Sequence, residues 1–155
     1  MFSHVSFLLF DLTRFYELIL YSFLTGNGDM HLKNFSLLND PVVGWKPAPG
    51  YDLLNTRLVI PEESDPEELA LSLTGKKSHF NSESFDQFGK TIGLNPKQNQ
   101  NIKEGILRKR DTFLRAIEKS FLSVEMKSEY KESLKKRYRL LEKQGSGFSQ
   151  NHNQL

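Results

Sequence analysis

The stretch "GNGDMHLKN", residues 26–34, places Asp29, His31, Lys33 and Asn34 within a few positions, and Asp52 follows in "PGYDLL". Two carboxylates, an amide oxygen and a compact cation at this spacing suit one kind of chemistry. Moving a phosphoryl group from a nucleoside triphosphate needs a carboxylate that accepts or orients the proton of the attacking hydroxyl. It also needs oxygen ligands that hold magnesium on the phosphates, and a cation that offsets developing negative charge. Simpler readings stand beside this one. An Asn-Gly turn whose Asp and Asn bond their own backbone accounts for the Asp29–Asn34 spacing alone. A zinc pair at Asp29 and His31 has no further ligand cluster to complete it.

The elements around these residues must position them. From Leu12 to Thr25 apolar residues recur at steps of three and four (Leu12, Phe15, Tyr16, Ile19, Leu20, Phe23, Leu24), which predicts a central helix, apolar over most of its girth. Asp11 is its expected N-cap and Gly26 its expected stop, at a position favouring positive φ. "FSLLND" and "VVGWKPAPG" read as two short strands about a turn, a small hairpin between the polar loop and Asp52. "LALSLTGKKSHF" holds a short apolar run and a Thr-Gly turn, an extended segment or hairpin edge.

The remainder reads as helical. "NSESFDQFGKTIGL" has Asn81 or Ser82 as cap, Phe85, Phe88 and Ile92 as its stripe and Gly93 as stop. Asn95-Pro96 opens the next helix. Ile102, Ile106, Leu107, Phe113, Leu114, Ile117 and Phe121 form one apolar stripe, and Tyr130, Leu134, Tyr138 and Leu141 mark a last helix ended by Gly145. Trp45 and the Phe-rich segments read as core. Residues 145–155, Gly/Ser-rich and polar, read as a disordered tail after a single unit spanning 1–144. The expected class is mainly α with a small β-hairpin.

In protein kinases four residues separate the catalytic-loop Asp from a metal-binding Asn, and a second Asp follows a short hairpin. Asp29, Asn34, the hairpin and Asp52 come in that order. "FLTGNGDMHLKNFSLL" followed by "PGYDLL" resembles the catalytic region of the HipA-like serine/threonine kinases, toxins of bacterial toxin–antitoxin systems. "LALSLTGKK" resembles a segment that follows in that family, so the likeness covers roughly residues 12–80. It implies a protein-kinase-like C-terminal lobe that uses ATP and Mg2+ to phosphorylate a protein hydroxyl. It further implies Asp29 as catalytic base and Asn34 and Asp52 as magnesium ligands, with His31, Leu32, Lys33 and Tyr51 lining the nucleotide. Lys33 would help keep Asp29 ionised and offer a mobile cation to a phosphate oxygen. His31 reads most simply as a hydrogen-bonded scaffold histidine.

Composition bounds the rest. A chain of 155 residues, 37% apolar with twelve Phe, can fill one core. It has no cysteine, which excludes disulfides and thiolate metal sites. The apolar stretch Phe15–Leu24 is too short for a bilayer and contains Glu17. No basic leader precedes it, so a cytoplasmic protein with no membrane partner is expected. Residues 1–102 hold 8 Lys/Arg against 12 Asp/Glu, and residues 103–143 hold 13 against 7. A basic C-terminal surface of that kind could meet an antitoxin or nucleic acid, although a solvated helix face is the commoner outcome. His4, His79 and His152 stand in unrelated segments, and Lys76 and Lys77 read as a solvated turn.

A glycine-rich loop over the phosphates and a strand lysine are also part of a kinase, and no stretch before Leu12 reads as either. The expectation is a catalytic lobe that depends on an N-lobe, missing or supplied in trans, and is inactive alone. The alternative is a catalytically incomplete binding module that contacts an antitoxin or nucleic acid through its basic helices.

Overall fold

The computed structural model describes residues 3–142 except Val43 and Pro61, with side chains from Leu9 onward. Five helices are present among the described residues: α1 (Ser3–Thr25), α2 (Ser82–Thr91), α3 (Pro96–Leu107), α4 (Arg110–Glu118) and α5 (Val124–Glu142). Strands β1 (Leu37–Asp40) and β2 (Gly44–Pro47) pair antiparallel, Leu37 opposite Pro47 and Asn39 opposite Trp45. The mainly helical class with one small hairpin is what the periodicities predicted.

The core is built on α1. Tyr16, Ile19, Leu20, Phe23 and Leu24 are buried, and their spacing puts them on one face of the helix. Phe23 meets Phe85 with ring centroids 5.0 Å apart and Phe80 edge-on at 6.1 Å. The Tyr16 hydroxyl donates to the Phe85 carbonyl at 3.1 Å, which satisfies the one polar atom it carries inward. Leu134, Tyr138 and Leu141 of α5 close the core from the other side, and the Tyr138 hydroxyl donates to the Ile106 carbonyl at 3.2 Å.

Local chemistry sets most helix ends. Asn81 and Asn95 each cap a helix by a reciprocal box, Asn81 with Ser84 and Asn95 with Gln98. Gly93 (φ 95°) follows the end of α2. Thr74 and Gly75, both at positive φ, make the expected Thr-Gly turn, but it carries only the single bridge Leu73–Lys76 and grows no strands.

Four expectations need correction. Helix α1 begins at Ser3, so Asp11 lies inside it rather than capping it; no Pro or Gly between Ser3 and Thr25 interrupts the helix. The stripe from Ile102 to Phe121 is broken between α3 and α4, where six positions separate Leu107 from Phe113 and Arg110 and Asp111 fall where the period calls for apolar residues. Phe121 lies beyond the end of α4, fully exposed. Trp45 is no core residue: it is 68% exposed on the hairpin. His79 is exposed, while the side chain of His4, all of His152 and the tail boundary at Gly145 lie outside what is described.

The basic C-terminal segment is not one continuous face either. Lys103 is buried, with its ammonium 2.7 Å from Asp86 and 2.9 Å from the Ser82 hydroxyl. Arg137 is buried as well, and Lys131, Lys135, Arg110 and Arg108 are paired with Glu118, Glu132, Glu142 and Glu104. Among the described residues no helix is long and apolar enough to cross a membrane.

Candidate active site

The polar loop starts at a fixed point. Gly26 takes φ 74°, its amide donates to the Phe23 carbonyl at 3.2 Å, and the Asn27 amide donates to Ser22 at 2.9 Å. This pair of bonds is the Schellman arrangement, which satisfies orphan carbonyls at the helix end and turns the chain sharply. No larger residue fits at 26: a Cβ there would lie 2.4 Å from Arg137 Nη1 and 2.7 Å from Asn55 Oδ1.

From that point the loop folds on itself. The His31 amide donates to Asp29 O at 2.8 Å, and a 3₁₀ turn over Leu32–Asn34 brings the Asn34 side chain back under the loop. Asn34 is buried, and its Nδ2 donates to Asp29 O at 3.0 Å. That bond fixes which way the amide points, because nitrogen must face the carbonyl and Oδ1 is left as the remaining acceptor. His31 Nε2 lies 3.0 Å from Asp29 Oδ1, both side chains about half exposed. The His31 ring therefore lies within ion-pair distance of the Asp29 carboxylate itself. Lys33 is exposed and forms no ion pair among the described residues, so the group facing Asp29 is the imidazole rather than the ammonium.

The segment after the hairpin returns beside this loop. The Tyr51 hydroxyl donates to Lys33 O at 3.1 Å. Asp52 is exposed and sits at φ 54°, a left-handed conformation uncommon outside glycine that Asp tolerates better than most residues. Two buried side chains tie the segment to the loop. Asn27 accepts from the Asp29 amide at 3.1 Å and donates to the Asp52 carbonyl at 3.2 Å. Thr56 Oγ1 accepts from the Gly28 amide at 2.9 Å and donates to Gly26 O at 3.1 Å, which the Thr56 amide also reaches at 3.1 Å. Neither residue stands out in the sequence: their partners are distant, and "GNG" reads as a turn with no sign of what its Asn grips.

Behind this layer lie more polar groups. Asn55 caps the 3₁₀ turn Thr56–Leu58 by accepting from the Arg57 amide at 2.9 Å. Arg57 donates to the Asp65 carbonyl. Arg137, from α5, packs over the Phe23 ring, and burial pulls its pKa below the usual guanidinium range while Glu68 works against that shift. On the other side Asn34 and Leu32 border a groove of about 780 Å³ between α1 and the base of the hairpin, walled by Leu12, Phe15, Leu18 and Leu53.

Comparison with known proteins gives the family and the fold. A model of the HipA-like C-terminal domain matches residues 4–114. The chain belongs to that family. The Haemophilus influenzae protein named "Putative kinase" is 32% identical over 90 residues, which is 50% of this chain and 26% of its own length. "Putative kinase Y4dM" of Sinorhizobium fredii is 34% identical over 87 residues, 56% of this chain and 21% of its own. In structure the chain is similar to HipA of Shewanella oneidensis MR-1, solved with HipB and its operator DNA. The TM-score is 0.65, at 23% identity, over 82% of this chain and 30% of that one. The likeness to HipA is one of fold, and the chain spans about a quarter of the curated relatives it matches.

The candidate ligands are of one chemical type. Asn34 Oδ1 and the Asp52 carboxylate are hard oxygen ligands, and among the described residues no group of three or more His, Cys, Asp or Glu forms a cage. Magnesium suits such a set, because it is held by one or two carboxylates together with substrate phosphates and waters rather than by a dedicated protein cage.

Proposed function

We propose that this HipA-like domain is the catalytic lobe of a serine/threonine protein kinase, which binds Mg2+–ATP weakly by itself and directs the γ-phosphoryl group to a protein hydroxyl when an N-lobe completes the cleft. The observation that carries this reading is the meeting of the Asp29 loop and the Asp52 segment on one buried amide, Asn27. Two segments separated by a hairpin come together, as the two sides of a metal-bound triphosphate site would have to.

In this reading Asp29 takes the proton of the attacking hydroxyl, and His31, its Nε2 beside that carboxylate, helps to orient it. Asn34, its nitrogen committed to Asp29 O, offers Oδ1 to magnesium, and Asp52 offers a carboxylate from across the cleft. Magnesium, when bound, neutralises charge on the phosphates. Leu32, Lys33 and Tyr51 line the nucleotide, the last held by its bond to the Lys33 carbonyl. Much of what such an enzyme contributes is positioning, so the isolated lobe transfers phosphate slowly or not at all. By analogy with the HipA complex, the whole protein acts in the cytoplasm as a toxin held by an antitoxin, and any nucleic acid is reached through that partner.

Calorimetric titration of the chain with ATP, with and without Mg2+, tests the reading. The expected result is tighter binding with the metal, an increment that Asp52→Ala removes. ATP affinity indifferent to magnesium in the unaltered chain would overturn it. A phosphotransfer assay with an added N-lobe then asks whether Asp29→Ala abolishes turnover. Steep loss of nucleic-acid affinity with salt, seen in place of nucleotide binding, would favour the binding-module alternative.

A further inference from the structure

We propose that Asn27 is a positioning residue that fixes the separation between Asp29 and Asp52; its consequence for metal binding rests on the phosphotransfer reading above. Asn27 is fully buried, and both ends of its short amide are used on the backbone of the two segments that carry the candidate site. Oδ1 takes the Asp29 amide at 3.1 Å and Nδ2 gives to the Asp52 carbonyl at 3.2 Å, with Met30 Sδ 3.9 Å from the same nitrogen. Its own backbone is pinned, because the Asn27 amide bonds Ser22 at the end of α1. The anchor is therefore the helix on which the core is built, and the reach from it is a side chain with few rotatable bonds.

The residue type follows from the geometry. The position needs one donor and one acceptor on a short planar group, and Asn supplies both, whereas Asp at neutral pH or above supplies only acceptors and Ala neither. The φ of 54° at Asp52 adds to the case, since Asp tolerates the left-handed region better than most residues yet still favours the ordinary regions, so a constraint helps to hold it there. The bond to the Asp52 carbonyl is such a constraint, at the residue whose carboxylate has to face Asn34. Thr56 holds the neighbouring peptides at Gly26 and Gly28, so among the described residues of this layer the Asn27 bond is the hydrogen bond that reaches Asp52 itself.

The test uses the full chain carrying Asn27→Asp at pH 8, with Asn27→Ala as a second variant. Asp retains the acceptor for the Asp29 amide and loses the donor to Asp52. Backbone amide exchange is followed at residues 26–34 and 51–56, alongside the thermal melt. The expected result is exchange on the order of tenfold faster in 51–56 for Asn27→Asp, in both segments for Asn27→Ala, and wild-type protection in α2 and α3. Titration with ATP then separates positioning from plain support: the gain in affinity from Mg2+ should fall about tenfold while metal-free ATP affinity stays within about twofold. Wild-type exchange in 51–56 for Asn27→Asp would overturn the proposal. So would equal loss with and without metal, or disappearance of the cooperative melt in both variants, which assigns Asn27 to folding alone. Should the unaltered chain show no magnesium-dependent binding, the phosphotransfer reading fails, and the exchange data still decide whether Asn27 couples the two segments.

Discussion

The hairpin and the two segments that flank it are built on opposite principles. In the flanks, Asn27, Asn34 and Thr56 are buried polar residues; the side chains of Asn27 and Thr56 grip backbone atoms of the neighbouring segment, and that of Asn34 grips its own loop. In the hairpin, Leu37, Leu38, Val42 and Trp45 are exposed apolar residues, and the strands are held by their own ladder. Ordinary burial is thus inverted between residues 26 and 56. A buried polar group without a partner costs more than an exposed apolar one, so the bonds in the flanks are the ones that determine geometry. The hairpin returns the chain, and the amide and hydroxyl side chains set where it returns to.

Substitutions of decreasing effect probe that contrast. Phe23→Ala, in the core beneath the loop, should cost about 3–5 kcal/mol in a denaturant melt, since a fully buried ring leaves a cavity that cannot close. Gly26→Ala should cost about 1–3 kcal/mol, as the new methyl meets Arg137 and Asn55 in a backbone conformation that disfavours it. Thr56→Val keeps the shape but leaves the Gly28 amide unbonded, for a loss of about 1–3 kcal/mol, nearer the lower end because the Thr56 amide still reaches Gly26. Trp45→Ala should fall within about 0.5 kcal/mol of the parent. A Trp45 variant as damaging as the Thr56 one would erase the distinction between hairpin and flanks.

An alkaline titration examines the layer behind the flanks. Burial pushes the hydroxyls of Tyr130 and Tyr138 up to about 12. The folded state therefore holds these protons more tightly than the unfolded chain does. That contribution is complete below about pH 10 and is lost as pH rises toward 12, so the melting temperature should decline across that window. Tyr130→Phe should flatten part of the decline, and an unchanged slope would remove Tyr130 from the explanation.

What could be read from residues alone was what neighbours in sequence determine. The stop at Gly26, the caps at Asn81 and Asn95 and the hairpin itself all arise within a few positions, and the sequence reveals them. The order Asp29, Asn34, hairpin, Asp52 was legible for the same reason. Asn27 and Thr56 were not, because an Asn in "GNG" and a Thr in "LLNTRL" carry no mark of partners that lie distant in the chain. The break between α3 and α4 was present as a slipped phase after Leu107 but was masked by the apolar residues on either side. Trp45 misled because large aromatic residues are usually buried, and a two-stranded hairpin has too little behind it to cover one.

The family match ends at residue 114, yet α5 begins ten residues later and contributes Leu134, Tyr138 and Leu141 to the core. It also sends Arg137 to the turn at Gly26. A gene fragment trimmed to the shared block would be hollow on one side and loose where the loop departs from its helix. Dissection of this protein should therefore cut downstream of Glu142, and variation among relatives in this last helix is a place to look for differences in how firmly the loop is held.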